Sequence, residues 1–158
     1  MTKNLIRGRD TIILSFMSTN EGLRNEVAGL FTETQVAHLA TVDGEKPRLR
    51  PVTLIHLNGK FYVATGMENA KVEQLRENPR AEFCILLGEG EDQGSLRAEC
   101  TTRIVEAPKV RKEIFDRIGF LREFWEAPDD PSYVLFELKP SAYQYMKPGT
   151  TNVINVKA

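Results

Sequence analysis

Hydrophobic positions along the chain follow two rhythms. Leu23, Val27, Leu30 and Phe31 recur at three- to four-residue spacing, which predicts an amphipathic helix ending near Thr34, with Ser18 and Glu21 at capping-box spacing before it. From Val36 the period shortens to two. Strands are predicted over Val36 to Val42, Arg48 to Leu57 and Phe61 to Thr65, divided by Asp43-Gly44 and Asn58-Gly59, both strong hairpin signals.

Asn69 then caps a short helix that turns Val72 and Leu75 inward, and Asn78-Pro79 ends it, because the residue before a proline resists the helical region. Two longer strands follow, Ala81 to Leu87 and Ser95 to Glu106, around an acidic loop that Gly88, Gly90 and Gly94 are expected to leave flexible. Pro108 opens a helix whose stripe Val110, Ile114, Ile118, Leu121 and Trp125 continues to the stop at Pro128 and Pro131. A last strand runs from Tyr133 to Tyr145. Six strands joined by hairpins and short helices predict a mainly β fold, a closed or nearly closed antiparallel barrel with flanking α-helices; a parallel sheet needs a helical crossover after each strand.

The chain of 158 residues suits one domain, taken as 1–158, and is too short for two good cores. A net charge of -1 argues against a protein that coats nucleic acid, so any anion site is local. Residues 1–19 place Lys3, Arg7 and Arg9 before a short apolar run, Thr11 to Met17. That run is too short and interrupted to span a bilayer, lacks a small-x-small cleavage pattern, and reads as an arm packing on the barrel or on a partner subunit. Cys84 and Cys100 show no Cys-x-x-Cys spacing and read as reduced core thiols of a cytoplasmic protein, with no metal site.

Candidate chemistry centres on three cations. Arg48 and Arg50 stand two apart on a strand and share a face with Val52, so their charges repel unless an anion or carboxylate lies between them. Lys71 falls in the first turn after Asn69, where a cation opposes the helix dipole but a bound phosphate suits it. Together they point to a phosphomonoester site; as an exposed first-turn residue, Lys71 is expected to alter stability by under about 0.5 kcal/mol. His38 and His56 are candidate proton donors, although strand histidines are usually packed or solvated.

The ordered set Arg50-Pro51-Val52, Ala64-Thr65, Lys71, Leu75, Asn78-Pro79-Arg80-Ala81, Leu96-Arg97-Ala98-Glu99 and Phe136-Glu137-Leu138-Lys139-Pro140 with Tyr145 resembles the pyridoxine/pyridoxamine 5'-phosphate oxidase-like superfamily of FMN-binding split barrels. The opening strand His38 to Gly44 is similar to that of the general-stress-protein-26-like branch. The resemblance implies that Arg50 and Lys71 hold an FMN phosphate, that Pro51, Val52 and Thr53 run beside the isoalloxazine, and that Thr65 and Gly66 contact it from the next strand. Arg48 joins the cofactor-site candidates, although the oxidases often carry a small residue there. Trp125 joins them as a flat aromatic face that either stacks near the flavin or packs in the core or at an interface.

True pyridoxine phosphate oxidases end in Trp-Gln-Gly and Arg-x-His-Asp-Arg, and Met146 to Ile154 carries neither, which argues against vitamin B6 oxidation. The resemblance leaves two functions: an FMN-dependent oxidoreductase acting on a small substrate, or a flavin-binding protein without turnover. It implies a homodimer with the flavin at the subunit interface, with F420 or haem as alternative cofactors. No catalytic side chain is singled out, because a flavin carries the hydride chemistry itself.

Overall fold

The computed structural model describes residues 20–158; the arm assigned to residues 1–19 and the Ser18 cap lie outside the described residues. Helix α1 is described from residue 20 to 28. After it come β1 (Thr34–Asp43), β2 (Lys46–Leu57), β3 (Lys60–Gly66), α2 (Ala70–Glu77), β4 (Arg80–Leu87), β5 (Gly94–Ile104), α3 (Pro108–Arg117), a 3₁₀ turn (Gly119–Glu123), β6 (Tyr133–Met146) and β7 (Val153–Lys157). All pairings are antiparallel. The order β3-β2-β1-β4-β5-β6, closed by β6 on β3, makes a six-stranded barrel, and β7 adds a seventh strand beside β6.

The hairpin signals hold because each loop takes a backbone that glycine or asparagine tolerates. Gly44 sits at φ 61, while Asn58 and Gly59 sit at φ 53 and 71, as two-residue hairpin turns require. The strand β7 was not anticipated. It is reached through Lys147-Pro148-Gly149-Thr150, where the carbonyl of Lys147 accepts from the Thr150 amide at 3.0 Å and Gly149 lies at φ 76. Five residues are too few for alternation to register, and pairing with β6 decides the conformation.

The glycines around the acidic loop serve close packing. A Cβ on Gly88 would stand 2.0 Å from the Asp92 carbonyl oxygen, and one on Gly94 would stand 2.4 Å from that of Met146. These positions therefore let two backbones approach, in addition to whatever freedom they give the loop.

The barrel interior holds Leu39, Leu54, Val63, Phe83, Leu96 and Phe136, and α2 closes onto it with Val72 and Leu75, as the spacing predicts. A second core forms outside the barrel, where Ile114, Phe115 and Ile118 cover Ile55, Tyr62, Tyr133 and Leu135. Here the expected helix to Trp125 requires correction: α3 ends at Arg117, and Ile118 is extended at φ -96, ψ 100 before Gly119 starts the 3₁₀ turn. Ile118 and Leu121 stay buried, so the apolar spacing persists through a chain that has left the helix. The poor helix former Gly119 and the demands of the second core prevail over the pattern.

In that second core Tyr133 presents a defect. Its hydroxyl is buried without a hydrogen-bond partner among the described residues, and burial pushes its pKa up to about 12. An unmatched buried hydroxyl costs about 1–3 kcal/mol. Tyr133→Phe is therefore expected to raise stability by about 1 kcal/mol in denaturant titration; a loss of stability would show that the hydroxyl has a partner in solution.

Candidate functional site

The site arises where β2 and β3 part. They pair only from Ile55↔Tyr62 to Leu57↔Lys60, whereas β2 continues to pair with β1, and β3 with β6, well beyond that point. The backbones of Pro51 to Thr53 and Ala64 to Gly66 thus flank a gap where inter-strand hydrogen bonds would otherwise run. A cleft of roughly 500 Å³ fills the gap, lined by Pro51, Val52, Thr53, Ala64, Thr65, Gly66, Lys71, Phe120, Phe124 and Trp125. Seven of the nine sequence candidates line it.

Arg50 lies beside this wall. Its register partner is buried Leu39, which turns Arg50 to the inner side of β2 with Val52. There its Nη1 donates to the Thr41 hydroxyl at 2.5 Å and to the Leu39 carbonyl at 3.4 Å, and its Nη2 donates to Gln74 Oε1 at 2.8 Å. Burial lowers its pKa, and the nearby Arg48 lowers it further.

Arg48 itself is drawn elsewhere: it makes an exposed ion pair with Asp43 at 2.9 Å across the hairpin and does not line the cleft. Its charge has a local carboxylate partner, which removes the reason to invoke a ligand there.

Lys71 departs from the expectation of a solvated lysine. Asn69 caps α2, its side-chain oxygen accepting from the Lys71 amide at 3.3 Å, and this turns the Lys71 side chain toward the barrel mouth. Lys71 is 7% exposed, and its Nζ donates to the Thr65 hydroxyl at 2.8 Å. Burial lowers its pKa, with Arg50 contributing in the same direction. Among the described residues neither Lys71 nor Arg50 has a carboxylate partner. Two partly or fully buried cations meeting only neutral acceptors form a site that favours an anion.

The opposite wall is aromatic. Trp125 stands 5.0 Å from the Tyr133 ring and 5.7 Å from Phe124, so it links the second core to the cleft. Phe124 is 69% exposed, unusual for so large an apolar side chain. Sequence reasoning missed Phe120 and Phe124; their signal was aromatic residues lying off the buried stripe. Thr41 and Gln74 carried no signal, because only folding brings β1 and α2 to Arg50.

The histidines and cysteines stay away from the cleft. His56 stacks on Phe61 at 4.7 Å and burial lowers its pKa, while His38 faces Cys84 across β1 and β4. Cys100 is buried, its thiol pushed up to about 12. Among the described residues no three His, Cys, Asp or Glu gather to hold a metal ion.

An antiparallel barrel whose parted strands open an aromatic-walled cleft beside two partly or fully buried cations defines the class: a small barrel with a concave site suited to an anionic ligand. The pyridoxamine 5'-phosphate oxidase family profile matches residues 23–147, and the chain belongs to that family. General stress protein 26 of Bacillus subtilis is 25% identical over 140 residues, covering 87% of this chain and 97% of that protein. Among solved structures, General Stress Protein 26 of Bacillus anthracis superposes with a TM-score of 0.69 at 23% identity, covering 86% of this chain and 98% of that one. The fold is shared by a FAD-binding protein of Mesorhizobium loti (TM-score 0.65, 17% identity, 80% and 94% covered) and by a heme binding protein of Mycobacterium smegmatis (TM-score 0.66, 16% identity, 79% and 53% covered).

Proposed function

We propose that this protein is an FMN-binding flavoprotein that acts as an oxidoreductase on a small substrate. The carrying observation is the pair Lys71, which lines a cleft walled by parted strands and aromatic rings, and Arg50, which adjoins Pro51 of that lining, neither with a carboxylate partner among the described residues. Both would hold the phosphate, while the edges of Pro51 to Thr53 and Thr65 to Gly66 would meet the ring system and Trp125 would flank it. A flavin supplies hydride transfer when bound. The chain's part is to orient it and keep water from one side, with Lys71 the one ionisable group among the described residues lining the cleft.

Haem fits the cleft less well, because among the described residues lining it none is a His, Cys, Met or Tyr to serve as an axial ligand. The deazaflavin F420, which also carries a phosphate at the end of its ribityl chain, is the alternative that the same two cations would suit.

A homodimer belongs to the same reading. Val36, Leu49 and Leu86 are 67%, 71% and 72% exposed on β1, β2 and β4. By the registers His38↔Pro51 and His38↔Cys84 they share the outer face with Pro51 and Thr53 of the cleft. A second copy on this face would hide the apolar residues and border the cofactor. Among the described residues no helix is long and apolar enough to cross a membrane, and a cytoplasmic setting accords with the reduced thiols.

Protein purified from its own host should be yellow and release FMN on denaturation, identified by absorption and mass spectrometry. It should bleach with NADH or NADPH and recover with an added acceptor. Colourless protein that does not bind added FMN overturns the reading.

A further inference from the structure

Arg50 is held from two elements at once. Its Nη1 donates to Thr41 on β1, its Nη2 donates to Gln74 on α2, and the Thr41 hydroxyl in turn donates to Gln74 Oε1 at 2.7 Å. Thr41 is 2% exposed and Gln74 8% exposed. The three groups close a triangle in which Thr41 spends its hydrogen on Gln74 and its lone pair on the guanidinium.

A guanidinium carries five N–H donors in a rigid planar fork. Three are used on Leu39, Thr41 and Gln74. The Nε–H and one hydrogen of Nη2 have no partner among the described residues, and such a pair suits bidentate recognition of a phosphate. The acceptors that fix the fork are all neutral, so the arginine is oriented while its charge stays uncompensated. A carboxylate in place of the Gln74 amide would orient Arg50 equally well, but it would neutralise the charge and repel an incoming dianion.

We infer that Gln74, with Thr41, is the positioning residue of the anion site, and that its neutrality is what selects a phosphorylated cofactor. This rests on the phosphate-binding reading above. The amide sets the guanidinium plane from α2, the same helix that delivers Lys71, so one short helix places both cations about the anion.

The test is titration of ligand-free protein with FMN and with riboflavin. Wild type should prefer FMN, and equal affinity for both would remove the phosphate reading and this inference with it. Where wild type prefers FMN, Gln74→Glu should lose roughly thirtyfold or more in FMN affinity and change riboflavin affinity by less than about threefold. Gln74→Met, with no acceptor and no charge, should lose roughly tenfold for FMN alone, and it decides the matter should Gln74→Glu fail to fold. In an Arg50→Met background, Gln74→Met should lose most of its effect on FMN, because the two residues act as one unit. FMN affinity unchanged in both single variants, equal losses for FMN and riboflavin, or full additivity with Arg50→Met would overturn the positioning role.

Discussion

Lys71→Met is expected to weaken FMN binding roughly 10- to 100-fold while leaving riboflavin nearly unaffected, and to raise the melting temperature of the ligand-free protein. The first effect follows from removing the charge-assisted hydrogen bond proposed between Lys71 and the phosphate, about 1.5–3 kcal/mol. The second follows from burial: Lys71 is 7% exposed and meets only the Thr65 hydroxyl and a nearby arginine. Without ligand its charge opposes folding, and methionine fills the same volume without that cost.

The gain should be about 1 kcal/mol, or roughly 2–4 °C for a chain of this size, reduced by the Thr65 hydroxyl losing its partner. This replaces the expectation of an indifferent, solvated lysine. Calorimetry of the two ligand-free proteins reads the shift, and a lower melting temperature in the variant would refute it.

The same group sets a pH dependence. The folded pKa of Lys71 lies below its unfolded value of about 10.4, so between those values the unfolded chain binds more protons and stability rises with pH. Tyr133, Tyr143 and Tyr145 act oppositely. Burial raises each to about 12, so their contribution is present below the unfolded value of about 10 and is lost as pH rises above it. Ligand-free wild type should thus gain stability relative to Lys71→Met as pH rises through the alkaline range toward the unfolded value of about 10.4. A constant difference across that range would contradict the lowered pKa.

Phe83→Ala is expected to be the most destabilising of the aromatic truncations, at about 3–5 kcal/mol. Phe83 is fully buried in the barrel, with its ring 5.5 Å from Phe61 and 6.2 Å from Phe31. The barrel closes on itself and has little freedom to collapse around a cavity. Against a typical total of about 5–15 kcal/mol, such a loss is a large fraction.

Phe124→Ala is the informative contrast. That ring is 69% exposed at the cleft rim, so its removal should change stability by less than about 0.5 kcal/mol while weakening binding of FMN and riboflavin alike. Urea unfolding and ligand titration of the two variants separate the roles. An unfolding midpoint for Phe83→Ala near wild type, or unchanged flavin binding by Phe124→Ala, would show the respective assignment to be wrong.

How far such roles can be read in advance depends on the range of the interaction behind them. Asn58-Gly59 imposes its turn through its own backbone, and Asn69 caps α2 through an amide two residues away. Val36 to Val42 alternates because one side of a barrel strand is always covered. Trp125 could be placed in a stripe but not in a direction, because the break at Ile118 depends on what α3 covers. Arg48 and Arg50 share a face as their spacing requires, yet Asp43 claims one and Thr41 with Gln74 claim the other.

By itself the sequence determined the strands that form the barrel, their hairpins, the cap of α2 and the three candidate cations Arg48, Arg50 and Lys71. Each depends on periodicity or on partners a few residues apart. Only the tertiary structure decided that β2 and β3 part after Ile55↔Tyr62, that Lys71 is buried, that Phe124 is not, and that a neutral glutamine fixes Arg50. Those outcomes rest on contacts between distant segments, whose energies depend on which groups the closed barrel brings together and which it leaves without a partner.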